Sequence, residues 1–220
     1  MRPSLGRKLA AEAVGTALLL VAVVGSGIMG ERLSGGNAAL ALLANSIATG
    51  CALVAIILSL GPISGAHLNP AVTLMASWRG SHPWREAPGY AAAQVLGAFS
   101  GVAVAHLMFG EALFTASLHA RMGAAQLFSE FIAIFGLLLV VWGCGRSRPS
   151  AVPFAAGAYI AGAYWFTAST SFANPAVTMA RALTNTFSGI RPGDVPAFVL
   201  AQVVGAAAAT LFTRWMDKDS

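Results

Sequence analysis

The chain has 220 residues, 57% of them hydrophobic and only 10% charged, with a mean hydropathy of +0.72. A soluble domain of this size carries far more charge to cover its surface, so that class is excluded. The net charge of +5 falls in the connections between apolar runs, where it reads as membrane topology and not as a nucleic-acid footprint.

Taken in chain order, uncharged runs cover 9–30, 38–60, 88–109, 126–145, 151–169 and 195–213. Each is close to the roughly 20 residues that span a bilayer core, so six spans are expected. Only Glu12, His106 and Glu130 interrupt them. Arg2, Arg7 and Lys8 precede the first run, which lacks a convincing cleavage site and reads as a signal-anchor with its amino terminus inside. With both termini cytoplasmic, the inside holds Arg2, Arg7, Lys8, Arg79, Arg85, Arg146, Arg148, Arg214 and Lys218. That is 9 of the 13 basic residues, as the positive-inside rule expects for a multi-pass protein of the cell inner membrane. Cys51 and Cys144 fall within predicted spans and read as small apolar packing residues, with no disulfide expected.

The two halves repeat. Ala93-Gln94-Val95-Leu96-Gly97-Ala98 in the third run returns as Ala201-Gln202-Val203-Val204-Gly205-Ala206 in the sixth. Glu12 near the start of the first run corresponds to Glu130 in the fourth, and Asn69-Pro70-Ala71-Val72-Thr73 returns as Asn174-Pro175-Ala176-Val177-Thr178. One domain over 1–220 thus divides into repeats at about 8–110 and 126–214. Three spans per repeat make the second copy enter with the opposite orientation, an inverted repeat. The triplets lie in short apolar connections that cannot cross the bilayer. Two re-entrant half-helices meeting at the midplane are therefore expected. Non-helical backbone survives at that depth only where it is buried or lines an aqueous cavity.

Asn is a favoured N-cap and Pro is favoured at the first helical position. One Asn-Pro-Ala alone starts an ordinary helix. Two copies at matching places of an inverted repeat put two positive helix ends at the centre of a pore, which opposes cations. The amides of Asn69 and Asn174 are expected to donate to passing hydroxyl or water oxygens, and 65–68 and 170–173 to line the route with carbonyls.

Ser64-Gly65-Ala66-His67-Leu68-Asn69-Pro70-Ala71-Val72-Thr73 resembles the first pore loop of the major intrinsic proteins, the aquaporins and aquaglyceroporins. The resemblance extends to both Glu positions, both Ala-Gln-Val motifs and both loops. It implies an all-α membrane fold of six tilted spans and two half-helices, and a homotetramer with one pore per subunit. It also implies that Glu12 and Glu130 anchor pore-loop backbone, a reading preferred here to proton coupling. His67 would shape the cytoplasmic mouth. His106 is expected to pack near the outer end of the third span, and Gln94 and Gln202 to hydrogen-bond within the bundle.

Family members normally place Arg directly after the second Asn-Pro-Ala, where this chain has Val177. Carried over by spacing, the family's outer filter falls on Thr49, Gly162, Ser171 and Val177. With neither aromatic nor guanidinium, these four residues predict an unusually wide opening. The Val replacement resembles arsenic-resistance-associated aquaglyceroporins. It implies passage of glycerol-like polyols, of water, of trivalent arsenic as its neutral trihydroxide, and of methylated arsenicals. Arg181, one turn beyond Val177, is expected to stand in part for the lost charge in the outer vestibule; pairing with lipid or with Asp194 is the plainer alternative. A water-selective aquaporin and an ion-coupled secondary transporter are the rival readings. With no nucleophile–base pair or metal-ligand cluster in view, neither enzyme activity nor a cofactor is expected.

Overall fold

The computed structural model describes residues 3–217, and no strand occurs among them. Eight α-helices succeed one another: α1 (Leu5–Leu33), α2 (Ala38–Ser64), α3 (Pro70–Trp78), α4 (Ala87–Phe109), α5 (Ala124–Ser147), α6 (Val152–Phe166), α7 (Pro175–Arg181) and α8 (Val195–Met216). Of these, α1, α2, α4, α5 and α8 are long and apolar enough to cross a membrane.

The fifth expected span differs. The run 151–169 forms only the 15-residue α6, entered through a 3-10 turn at Pro149–Ala151. At 1.5 Å per residue it rises about 22 Å, short of a bilayer core of about 30 Å. The cause is the backbone at its C-terminal end. Thr167 turns extended, and 167–174 run as non-helical backbone to the second triplet, so helix and loop share a length that the sequence presents as one apolar run.

Packing repeats with the chain. Helix α1 packs on α2 and α4, α5 packs on α6 and α8, and α3 and α7 touch between the two sets. Close approach is set by glycine. A Cβ at Gly97 or Gly101 of α4 would fall on the carbonyls of Ala13 and Ala17 in α1, and one at Gly205 of α8 would fall on the Phe131 carbonyl in α5. Gly97 and Gly101 thus serve close helix packing within the chain.

Both described termini lie at one end, where Lys8 pairs with Glu86 and where Asp217 accepts from Arg79 and Arg146. Arg32 pairs with Glu111 at the opposite end. Of the basic residues assigned inside, Arg2 and Lys218 lie outside the described residues. Large apolar side chains such as Leu96, Leu107, Phe128 and Leu211 point outward from the bundle, the arrangement of a surface solvated by lipid. Cys51 joins that exposed surface instead of packing inside, and both cysteines are free.

Candidate functional site

Asn69 caps α3 by accepting from the Ala71 N–H, and Asn174 caps α7 by accepting from the N–H groups of Ala176 and Val177. The two amides then cross. Asn69 Nδ2 donates to the Ala173 carbonyl at 2.7 Å, and Asn174 Nδ2 donates to the Leu68 carbonyl at 2.8 Å. An amide has two N–H donors. Each Asn therefore spends one on fixing the opposite loop and keeps one for the lumen.

The loops before these caps hold unusual backbone. Ala66 and Leu68 have φ of 46° and 53°, and their counterparts Ser171 and Ala173 have 51° and 48°. Left-handed conformations at non-glycine residues cost of order 1–3 kcal/mol each and persist only where neighbours hold them. The buried glutamates do the holding. Glu12 accepts from the Ser64 hydroxyl, from the N–H groups of His67 and Leu68, and from Gln94 Nε2. Glu130 accepts from the N–H groups of Phe172 and Ala173 and from Gln202 Nε2. Each Gln also reaches the Thr that ends its repeated motif, Gln94 to Thr73 and Gln202 to Thr178. Both carboxylates are fully buried and engaged with loop backbone, the arrangement that the family resemblance implies.

A cavity of about 430 Å³ runs past both Asn residues. Its walls are mostly apolar, with Val23, Leu53 and Ile57 from one repeat and Leu138, Val141 and Ile160 from the other. The stretches 65–69 and 171–174 border it, as expected for a lined route. No Asp or Glu side chain does so among the described residues, whereas Arg79, Arg146 and Arg181 do.

At the end away from the termini, Thr49, Ser171 and Val177 border the cavity together, as the spacing predicted, but Gly162 does not. Gly162 is exposed on the outside of α6, with only the Phe166 ring near it. Tyr164 takes the inward place and lies 3.2 Å, hydroxyl to hydroxyl, from Thr49. Two residues along a helix rotate a side chain by about 200°, so a count from Asn174 through a non-helical loop chose the wrong face. The ring consequently contains an aromatic, and the expectation of four small residues is corrected on that point. The signal was available: Tyr164 is the one hydroxyl-bearing residue between Ile160 and Phe166.

Arg181 also borders the cavity, almost fully buried. Its Nε donates to the Ser188 carbonyl and its Cζ lies 3.4 Å above the Phe172 ring centroid. Asp194 is not its partner. That carboxylate accepts from Arg191 Nη2 and from the Arg121 N–H. Arg121, which the sequence reading did not single out, reaches in from the α4–α5 connection. It donates to the carbonyls of Gly189 and Ser169 and stacks over Phe172 at 5.0 Å. Nothing in its local sequence marks it, because its partners lie 48 and 68 residues away.

At the terminal end, His67 borders the cavity, with Nδ1 3.1 Å from the Thr73 hydroxyl and its ring against His82 and Tyr90. Tyr90 donates to the Ser64 carbonyl at 2.9 Å. Farther out, Arg79, Trp142 and Arg146 form the mouth around Asp217. The Arg79 guanidinium, followed by Arg146, holds the Asp217 carboxyl below its ordinary value. His106 is buried with Nε2 2.8 Å from the Thr184 hydroxyl, packing as expected.

The family profile described as "Major intrinsic protein" matches residues 1–152. The chain is 53% identical over 96% of its length to aquaglyceroporin AqpS of Rhizobium meliloti (strain 1021), covering 91% of that protein. It is 32% identical over 91% of its length to aquaporin NIP1-4 of Oryza sativa subsp. japonica, covering 73% of that protein. In fold it is similar to the X-ray structure of the aquaglyceroporin from Plasmodium falciparum, with a TM-score of 0.74, 22% identity and 95% of each chain covered.

Proposed function

This chain belongs to the major intrinsic protein family and is a membrane channel for small neutral solutes rather than an enzyme, and within that frame we propose a passive pore for water, glycerol-like polyols and the neutral trihydroxide of trivalent arsenic. The observation that carries the proposal is one cavity bordered by both Asn residues and, at one end, by the hydroxyl-bearing residues Thr49, Tyr164 and Ser171. Apolar walls give a solute's carbon face its place, while the asparagine amides and ring hydroxyls receive its oxygens. A trihydroxide of arsenic presents oxygens much as glycerol does, and methylated arsenicals exchange a hydroxyl for an apolar methyl that the walls accept.

A water at the midplane meets one free N–H from each Asn. When it accepts from both, its own protons must point away along the pore in opposite directions, which breaks the chain of like-oriented waters that proton hopping needs. Cations face the N-terminal ends of α3 and α7 and, at the ring, the Arg181 guanidinium. In this reading Arg181 supplies the charge that Val177 lacks. Passive flow is favoured over ion coupling because Glu12 and Glu130 are buried and hydrogen-bonded, leaving no carboxylate on the lumen among the described residues. Both termini lie in the cytoplasm of a cell whose inner membrane holds the channel as a homotetramer. The positive-inside count supports the first and the family resemblance the second.

Stopped-flow permeability of proteoliposomes to water, glycerol and arsenite tests the proposal, with Val177→Arg beside the wild type. The wild type should pass all three, and the variant should keep water while losing most glycerol and arsenite flux. Water flux without glycerol flux in the wild type would leave a water-selective channel instead.

A further inference from the structure

The charge balance around Phe172 is incomplete. Arg181 is the largest fully buried side chain, 2% exposed, and Arg121 lies over the same ring. None of the ion pairs among the described residues includes either guanidinium. Asp194 is paired with Arg191, and Glu130, hydrogen-bonded to two loop N–H groups and Gln202, is a single carboxylate acting through space on both guanidiniums. Arg121 has neutral carbonyl partners for its side chain. Arg181 has one, at Nε, so the rest of its fork is left to the cavity that it borders. Two guanidiniums that share one carboxylate through space, with no ion pair to it, leave a positive charge whose burial at Arg181 is costly.

Further hydroxyl-bearing residues border that space. Ser171 borders the same cavity, 3% exposed, and its hydroxyl has no partner among the described residues. Thr49 and Tyr164 share one hydrogen bond, which leaves the pair one further O–H to give. A guanidinium fork beside hydroxyl donors, with no carboxylate from the described residues on the cavity wall, matches a planar acceptor of single negative charge.

We propose that the ring of Arg181, Ser171, Thr49 and Tyr164 is a binding site for a small monovalent oxyanion of nitrate or carboxylate size. The anion serves as the counter-ion of Arg181 and competes with neutral solutes for the narrow end of the pore. The inference rests on the passive-pore reading and adds a ligand class to it. Arg79 and Arg146 at the other mouth both pair directly with Asp217, a contact that Arg181 makes with no carboxylate among the described residues.

The test is glycerol entry into proteoliposomes carrying sodium nitrate on both sides, against equal osmolarity of sodium 2-(N-morpholino)ethanesulfonate, whose anion is bulky, ring-bearing and neither planar nor a carboxylate. Nitrate should slow the wild type along a saturating curve that the sulfonate does not reproduce. Each protein is compared with its own nitrate-free rate. Arg181→Gln should raise the half-inhibiting nitrate concentration roughly tenfold, the loss of one charge-assisted hydrogen-bonded contact. Ser171→Ala should raise it several-fold and decides the matter if Arg181→Gln does not fold. Equal effects of nitrate and the sulfonate on the wild type, or undiminished nitrate inhibition in Ser171→Ala and in a folded Arg181→Gln, would overturn the anion site while leaving the neutral pore intact. Absence of glycerol entry in any condition would overturn the pore reading itself.

Discussion

The two pore loops are held alike and equipped differently. On the terminal side, Gly65 to Asn69 forms a short turn anchored by Glu12, Gln94 and Thr73, with His67 as its one ionisable residue at the lumen. On the far side, 167–174 is longer, anchored by Glu130, Gln202 and Thr178, and surrounded by Phe172, Arg121 and Arg181. The shared anchor places the two Asn caps against one another and so makes the midplane. The unshared flanks make the two ends of the cavity differ. In this molecule symmetry builds the centre, and asymmetry equips the end at which the proposed filter lies.

Removing an anchor gives the largest expected effect. Glu12→Gln and Glu130→Gln each leave loop N–H groups short of an acceptor, at a cost of about 2–4 kcal/mol from lost charge-assisted bonds. Thermal unfolding in detergent should show both losses, with Glu12 the more costly because the Ser64 hydroxyl gives it one bond more than Glu130 has. Equal and negligible losses would mean that the loops hold themselves.

At the end bordered by Thr49 and Tyr164, Tyr164→Ala should admit five- and six-carbon polyols several-fold faster relative to water, read by stopped-flow swelling. An unchanged ratio would return the ring to the spacing-derived residues. At the terminal mouth the sensitive quantity is pH. The Asp217 carboxyl lies below its ordinary value when folded, held there chiefly by Arg79. Its stabilising effect is therefore complete above the unfolded value of about 4 and fades as pH falls through the lower folded one. Melting temperature between neutral pH and about pH 3 should fall less steeply in Asp217→Asn than in the wild type. The smallest effect is expected at Gly162→Ala. An added methyl there meets only the Phe166 ring at 3.7 Å, so selectivity should hold and stability should shift by no more than about 0.5 kcal/mol.

Much of the fold was legible in the chain because it is written in periodic or repeated form. Uncharged runs of spanning length mark the helices, and a duplicated Asn-Pro-Ala with a duplicated Glu and Gln marks the loops and their anchors. Each of those signals is local or is stated twice. The misplaced residue was Gly162, and the unnoticed ones were Tyr164 and Arg121. Gly162 was reached by counting across 167–174, where extended and left-handed residues break the helical phase that makes counting meaningful. Arg121 sits in an unrepeated connection and gains its role only through partners far along the chain.

The sequence by itself determined the class of the molecule, the inversion of its halves and the meeting of two capped helix starts at the centre. Those come from hydropathy, from the odd number of spans per repeat and from the conformational preferences of Asn and Pro. Tertiary structure alone decided that α6 stops short, that Tyr164 and not Gly162 faces Thr49, and that Arg181 lies buried on Phe172 without a carboxylate from the described residues. Side-chain direction at the end of a helix and charge balance in a buried ring depend on how distant segments meet, which no local pattern of residues encodes.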